Sequence, residues 1–280
     1  MMSTTHASTA RRGGTSSQWG PLLRSWRTSR GKSQLALAVE AGISTRHLSF
    51  LETGRSAPSR DMVLTLAEHL EIPLRERNSL LEAAGYAAVY RETPLEAAAM
   101  SEVRAALGHL LEASLPNPAL VVNRRYDILL ANSAAIEFFS FFAPEWRGKN
   151  NVAELVFSQK GLKPAILDWP AAAGYLVKRL RAELHGNRGD SRDDELLALA
   201  SEVQIELASE PALQPSEPVS NILVPVSLCR GAVAVDIFTA ITTVGTPLDI
   251  TLQELRIETF FPANARSREV LERVVRGSVS

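Results

Sequence analysis

Two serines and two glycines within residues 33–59 constrain this chain more than any other feature. Ser33 sits where a helix beginning at Gln34 needs its N-cap, and Ser44 does the same for a second helix. Gly42 follows Ala41 where a helix ends in a left-handed residue, a conformation that glycine takes without strain. Gly54 ends the second helix in the same way. Leu35, Ala38 and Val39 fall at helical spacing on one face of the first helix. Leu48 and Leu51 mark the inner face of the second, and Ile43 is the buried hinge between them. The spacing predicts two short helices crossing at a tight turn, which can place the second helix in the major groove of DNA. A helical hairpin in an unrelated core would share the periodicity, but it has no need of both caps and both glycines at these distances.

The flanking segments extend this pair into an all-α, five-helix module over residues 19–85. Leu22, Leu23 and Trp26 give an amphipathic first helix. Pro58-Ser59 starts a fourth, with Val63, Leu66, Ala67 and Leu70 as its apolar stripe, and Pro73 opens a fifth carrying Leu74, Leu80 and Leu81. The run from Ser33-Gln34 through Ala41-Gly42-Ile43-Ser44, Leu48-Ser49, Leu51-Glu52, Gly54-Arg55 and Pro58-Ser59 resembles the Xre-type, phage-repressor-like helix-turn-helix domain. Leu37-Ala38 stands one place later than that family's usual Leu-Ala pair. The resemblance implies a double-stranded DNA operator as partner and assigns roles by position. Gln34 looks like a phosphate-clamping glutamine. Ser44, Thr45, Arg46, Ser49 and Phe50 belong to the cap and exposed face of the recognition helix, and Arg55 and Ser59 sit where the family touches the DNA backbone. Arg46 is the residue suited to read a base, because a guanidinium fits guanine O6 and N7 bidentately. Phe50 either packs on a thymine methyl or is a packing residue. Such modules pair on half-sites about one helical turn apart, so a homodimer is expected.

Charge distribution agrees. The 280-residue chain has 30 basic and 31 acidic residues, a net charge of −1. Residues 11–60 nevertheless hold nine arginines and lysines against Glu40 and Glu52 alone, so a basic module precedes an acidic body. The length allows two domains with proper cores. A single cysteine, Cys229, excludes an internal disulfide framework and reads as a packed strand residue. His6, His47, His69, His109 and His185 have no metal-ligand spacing, and no nucleophile elbow or phosphate-binding glycine loop occurs. No enzyme activity, catalytic residue, metal or cofactor is therefore expected. Asp190, Asp193, Asp194 and Glu195 cluster at a helix start, where acids suit the helix dipole. No apolar run reaches the roughly 18–20 residues of a membrane span. Residues 1–18 are rich in Ser, Thr and Gly and read as a flexible leader without a signal core, which points to the cytoplasm and to no membrane partner.

Residues 86–96 change composition around Thr93-Pro94 and read as a linker to a larger domain over residues 97–265, with 266–280 as a C-terminal tail. A helix with Leu95, Ala99, Val103, Ala106, Leu107 and Leu110 on one stripe comes first, as a connecting helix or part of a dimer interface, and Pro116 and Pro118 stop it. Residues 119–123 and 126–131 read as strands around an Asn-Arg-Arg turn, and Asn132-Ser133 caps a phenylalanine-rich helix. Helices follow near 152–158, 168–185 and 192–209, then strands at 221–228, 232–243 and 248–260. Separated runs of helices and strands predict an α+β, PAS-like sensor: a five-stranded sheet with helices over one face and a cavity between.

The run Pro118 to Asn132, Asn150-Asn151, Asp168-Trp169, Leu180-Arg181 and Thr251 to Pro262 resembles the MmyB-like regulator ligand-binding domain. Val224-Pro225 stands near the place of a His-Pro pair found in many members. The resemblance implies a small apolar ligand of fatty-acid type. Phe138, Phe142, Trp146, Phe157, Trp169, Tyr175 and Phe238 are candidates to line the pocket, with Asn132, Asn151, Arg179 and Arg181 as polar anchors. Each aromatic has the alternative role of filling the core, and Asn132 that of a helix cap. The sequence thus predicts a DNA-binding transcriptional repressor that senses a ligand. The alternative is a regulator whose C-terminal domain serves only dimerisation or partner binding.

Overall fold

The structure, a computed structural model, describes residues 16–184, 190–209 and 226–278. It divides into two compact units, residues 1–92 with 248–250 and residues 93–247 with 251–280.

The first unit holds α1 (Ser16–Ser29), α2 (Gln34–Glu40), α3 (Thr45–Glu52), α4 (Arg60–His69) and α5 (Leu74–Ala83). Three serines start three of these helices. Ser33, Ser44 and Ser59 accept hydrogen bonds from the backbone N–H of Ala36, His47 and Met62 at 3.0, 3.1 and 3.2 Å, each cap worth about 1 kcal/mol. Gly42 and Gly54 take φ of 66° and 72°, the left-handed geometry that stops α2 and α3. Leu23, Leu37, Leu48, Leu51, Leu66 and Leu81 are fully buried in one core.

The expected face of α2 is corrected. Leu37 and Ala38 are inside, while Leu35 and Val39 are 63% and 71% exposed. The segment Leu-Ala-Leu-Ala-Val is apolar all round, so periodicity over two turns fits two rotations about the helix axis. The hydrogen bond of Gln34 to Glu52 of α3 at 2.7 Å accompanies the observed rotation. Ile43, the expected buried hinge, is half-buried.

The second unit starts with a 3-10 turn at Ala98–Met100 and α6 (Ser101–Ala113). It continues through β1 (Ala119–Val122), β2 (Ile128–Ala131), α7 (Ser133–Phe142), α8 (Val152–Phe157), α9 (Trp169–Leu184) and α10 (Ser191–Ser209). Then come β3 (Val226–Arg230), β4 (Val233–Thr243), α11 (Ile250–Glu254), β5 (Arg256–Pro262) and α12 (Ala265–Val275). The strands form one antiparallel sheet in the order β2-β1-β5-β4-β3. Strand alternation divides its apolar residues between two faces. Leu120, Val122, Val235, Ile237 and Phe260 join a core built with α7 to α10 and α12. Ala119, Val121 and Ile257 meet Leu107 and Leu111 of α6 on the other face.

Four expectations change here. The buried side of α6 holds Leu107 and Leu111, continuing from Met100 of the 3-10 turn, and Leu110 is 51% exposed. Leu95 and Leu107 of the expected stripe are buried and Val103 packs beside them; from Leu107 helical spacing allows either Leu110 or Leu111, and Leu111 is the one inside. The expected strand 248–260 is α11 followed by β5; Asp249 to Leu255 is too short for either period to dominate. Residues 266–280, expected as a tail, contain most of α12, whose Val270, Leu271 and Val274 enter the core. Asn264 caps that helix, accepting from the Ser267 N–H at 2.8 Å. Within the expected leader, α1 already begins at Ser16. Residues 221–225 of an expected strand, with Val224-Pro225, lie outside the described residues.

The acidic cluster also does more than complement a helix dipole. Asp193 is fully buried and takes Arg124 at 2.6 Å and Arg125 at 2.5 Å, and Asp190 pairs with Arg125. These bonds tie the β1–β2 turn to the first turn of α10.

Candidate DNA-binding interface and ligand site

On α3, Leu48, Leu51 and Glu52 face inward, which leaves Thr45, Arg46, Ser49 and Phe50 exposed or half-buried on the other side. The Phe50 ring lies 5.3 Å from the Arg46 guanidinium and 5.9 Å from that of Arg55. This stack holds two cations beside one aromatic ring, worth about 0.5–1 kcal/mol per exposed contact. Beneath it, Arg27 of α1 grips Glu52 with two bonds, Nε to Oε1 at 2.5 Å and Nη2 to Oε2 at 3.0 Å. Burial opposes ionisation of Glu52, but hydrogen bonds from Arg27 and Gln34 and the charges of Arg27 and Arg24 outweigh it, so the carboxyl is held below its usual range. The same bond steadies the Gln34 side chain at the start of α2.

Part of the basic excess counted in the sequence is engaged by the protein's own carbonyl and carboxylate groups. Arg30 donates to the carbonyls of Leu70 and Glu71 at the end of α4, both at 3.0 Å, and Lys32 donates to the His69 carbonyl at 2.8 Å and reaches Glu40. Arg24, Arg46, Arg55 and Arg60 are the exposed basic residues near the recognition helix. The Arg27–Glu52 pair was hidden in the sequence because its members lie on different helices. A lone acid on the otherwise apolar inner side of α3 was the available signal.

The proposed ligand residues do not converge. Asn132 is saturated by protein: its Oδ1 accepts from Ala119 and Ala135, and its Nδ2 donates to the carbonyls of Leu111 and Asn117. Asn151 accepts from the Glu154 N–H and donates to the Arg125 carbonyl and Asp127, both at 2.8 Å. Both asparagines therefore hold the fold and are not free anchors. Arg181 donates to Ser201 at 3.0 Å, linking α9 to α10. Phe138, Phe142, Phe157 and Trp169 are core residues. Trp146 and Phe157 also border an open groove of about 430 Å³ with Arg192, Glu154, Glu195 and Leu196. Phe238 stacks on Phe261 at 5.5 Å, on the sheet face opposite Ile237 and Phe260, so it belongs to no pocket with the others.

Tyr175, expected to line a pocket, is instead 63% exposed on α9, and a second polar cluster, missed in the sequence apart from Arg179, links α9 to β5 and to the β1–β2 turn. Tyr126, Arg179, Glu183, Arg256 and Glu258 interact there. Burial pushes the Tyr126 hydroxyl well above its usual range, and burial likewise pushes Glu258 up although Arg179 and Arg256 oppose it.

Among the described residues, no helix is long and apolar enough to cross a membrane, and no group of three or more His, Cys, Asp or Glu side chains is placed to hold a metal ion.

A helix-turn-helix module followed by an α+β sheet domain defines the class: a transcription regulator with a separate ligand-binding domain. The family model described as MmyB-like transcription regulator ligand binding domain matches residues 103–274, and the helix-turn-helix model matches residues 23–77. The chain belongs to the MmyB-like transcription regulator family. No curated protein matches the sequence. Among solved structures, ComR from Streptococcus suis aligns at 15% identity with a TM-score of 0.22, over 75% of this chain and 58% of that chain. That score carries no argument about this protein, and the chain spans just over half the length of that relative.

Proposed function

We propose that this protein is a homodimeric, sequence-specific DNA-binding repressor whose second unit senses a small apolar ligand of fatty-acid type. The Arg46–Phe50–Arg55 stack carries the DNA-binding part of this reading: two cations and a ring on the outward side of a helix held by a serine cap and a buried ion pair. Arg46 reads a guanine, Phe50 packs on a thymine methyl, and Gln34, Ser44, Thr45, Ser49, Arg55 and Ser59 position the backbone. Ligand binding shifts the dimer between two half-site geometries, for which the ligand must favour one state.

Selection of a site from random DNA, followed by binding measurements on selected and scrambled duplexes, tests the reading. Arg46→Ala is expected to cost about 1–3 kcal/mol on the selected site and relax one base position, and Arg55→Ala to weaken both duplexes alike. Equal losses on both duplexes from Arg46→Ala refute its role. The filled aromatic core favours a second reading, in which the second unit is a dimerisation or partner platform without a ligand. No change in melting temperature or operator binding with any apolar small molecule supports that alternative.

A further inference from the structure

On the sheet face that α6 occupies, helix cover stops short. Leu107 and Leu111 lie over Ala119 and Val121 of β1 and Ile257 of β5. Strand alternation puts Phe238, Ala240 and Thr242 of β4 on the same face, opposite Phe261, Thr259 and Ile257. Among the described residues, Phe238 and Phe261 belong to the apolar core on neither side of the sheet. Both rings are half-buried, and they stack on each other at 5.5 Å with an interplanar angle of 24°. They floor an open groove of about 430 Å³, bordered by Pro116, Pro262 and two residues of α12, Arg268 and Glu272. Leu115, next to Pro116, is 39% exposed. The Arg268 side chain is exposed and, among the described residues, has no ion-pair or hydrogen-bond partner; Glu272 meets Arg276, one turn further on, at 3.3 Å. Aromatic and proline side chains left facing water within a charged rim mark a surface that a protein covers.

We propose that this groove and its α12 rim are the contact through which two copies of the chain pair about a two-fold axis. This rests on the reading of the protein as a homodimer. Charge singles out a second copy as the occupant. An isologous contact presents the same patch twice, so the patch must complement itself. The rim meets that condition: Arg268 and Glu272 stand one helical turn apart on the outward side of α12, whose inward side is Val270, Leu271 and Val274. Two α12 helices running antiparallel about an axis near residue 270 set each Arg268 against the other copy's Glu272, giving two charge-assisted pairs at once. The phenylalanine pair beside each rim is then removed from water. A rim of one sign would repel its own copy. Outside residues 11–60 the chain is acidic, so two such bodies repel at most other approaches, whereas a patch with one cation and one carboxylate carries no net charge against itself.

The test is sedimentation equilibrium of the full chain at micromolar concentrations without DNA, with circular dichroism to read that each variant is folded. The native protein is expected to be a dimer. Phe238→Ser is expected to weaken the dimer about a hundredfold, the scale for losing an aromatic anchor at an interface. Arg268→Glu and Glu272→Arg change side chains outside the core, and each is expected to weaken the dimer at least about tenfold by setting like charges face to face. Mixing the two charge variants is expected to restore native association as a heterodimer, because every reversed charge then faces its opposite. Rescue by mixing is the signature of a self-complementary contact and is not produced by a loss of fold. Charge variants as dimeric as the native protein overturn the proposal and leave the homodimer reading to another surface. Weakened variants that mixing does not rescue also overturn it, since the two charges then act within one copy. A native chain that stays monomeric overturns both this contact and the homodimer reading.

Discussion

Replacing Glu52 with alanine tests how the first unit holds its recognition helix. The carboxylate takes two bonds from Arg27 and one from Gln34, with Arg27 and Glu52 only 7% and 6% exposed. Truncation leaves a buried guanidinium without its counter-charge and the Gln34 amide without its acceptor. The expected loss is about 3–5 kcal/mol, the scale for breaking one side of a buried pair, and a large share of a stability of about 5–15 kcal/mol. Hydrogen exchange followed on peptides from α1, α2 and α3 reads that loss directly. Arg27→Met with Glu52→Leu is expected to restore most of the protection, since an apolar pair removes the stranded charge. The pH dependence has a fixed sign. The folded carboxyl titrates below its usual range, so the stabilisation is complete above the unfolded value and disappears as the pH falls through the lowered one. A cost under about 1 kcal/mol, the magnitude of an exposed pair, refutes the argument.

Three further outcomes follow from the structure. Asp193→Ala removes the buried carboxylate shared by Arg124 and Arg125, leaving Arg124 only Glu254 at 3.7 Å, and is expected to cost about 3 kcal/mol, read as faster exchange in the first turns of α10. Glu258 titrates in the opposite sense to Glu52: its raised folded value makes its contribution complete below the unfolded value and lost as the pH rises through the folded one, so Glu258→Gln should flatten the melting temperature of the second unit over that range. Leu35→Gln, on the exposed side of α2, is expected to change stability by less than about 0.5 kcal/mol, whereas Leu37→Ala is expected to cost about 2–5 kcal/mol; the reverse order would restore the rotation of α2 expected from the sequence.

Capping residues made the first unit legible, because Ser33, Ser44 and Ser59 act locally and mark helix starts without reference to the rest of the chain. Rotation of a helix about its axis is not local. In α2 the apolar residues surround the axis, and packing against α3 decides which of them are buried. The sheet was readable from strand runs, but the short α11 was not, and α12 was missed although its cap and its apolar residues at 270, 271 and 274 were in view. For the site, exposed residues on one helix could be named in advance. Contacts between distant segments, such as Arg27 with Glu52 or Tyr126 with Arg179, have no signature in spacing. The asparagines show the converse: a polar residue beside a pocket-like pattern was already saturated by backbone groups that sequence cannot display.

The strand order carries a consequence for synthesis. β5 lies between β1 and β4, so Val122 waits for Arg256 before the middle of the sheet can close. Domains fold in the order they leave the ribosome, and the last of the five helices ends at residue 83. A growing chain therefore presents its DNA-binding surface while the sheet still lacks its central strand. Any chain that stalls or is cut before β5 carries a recognition helix without a finished sensor, and such fragments would compete for the operator beyond the reach of the ligand.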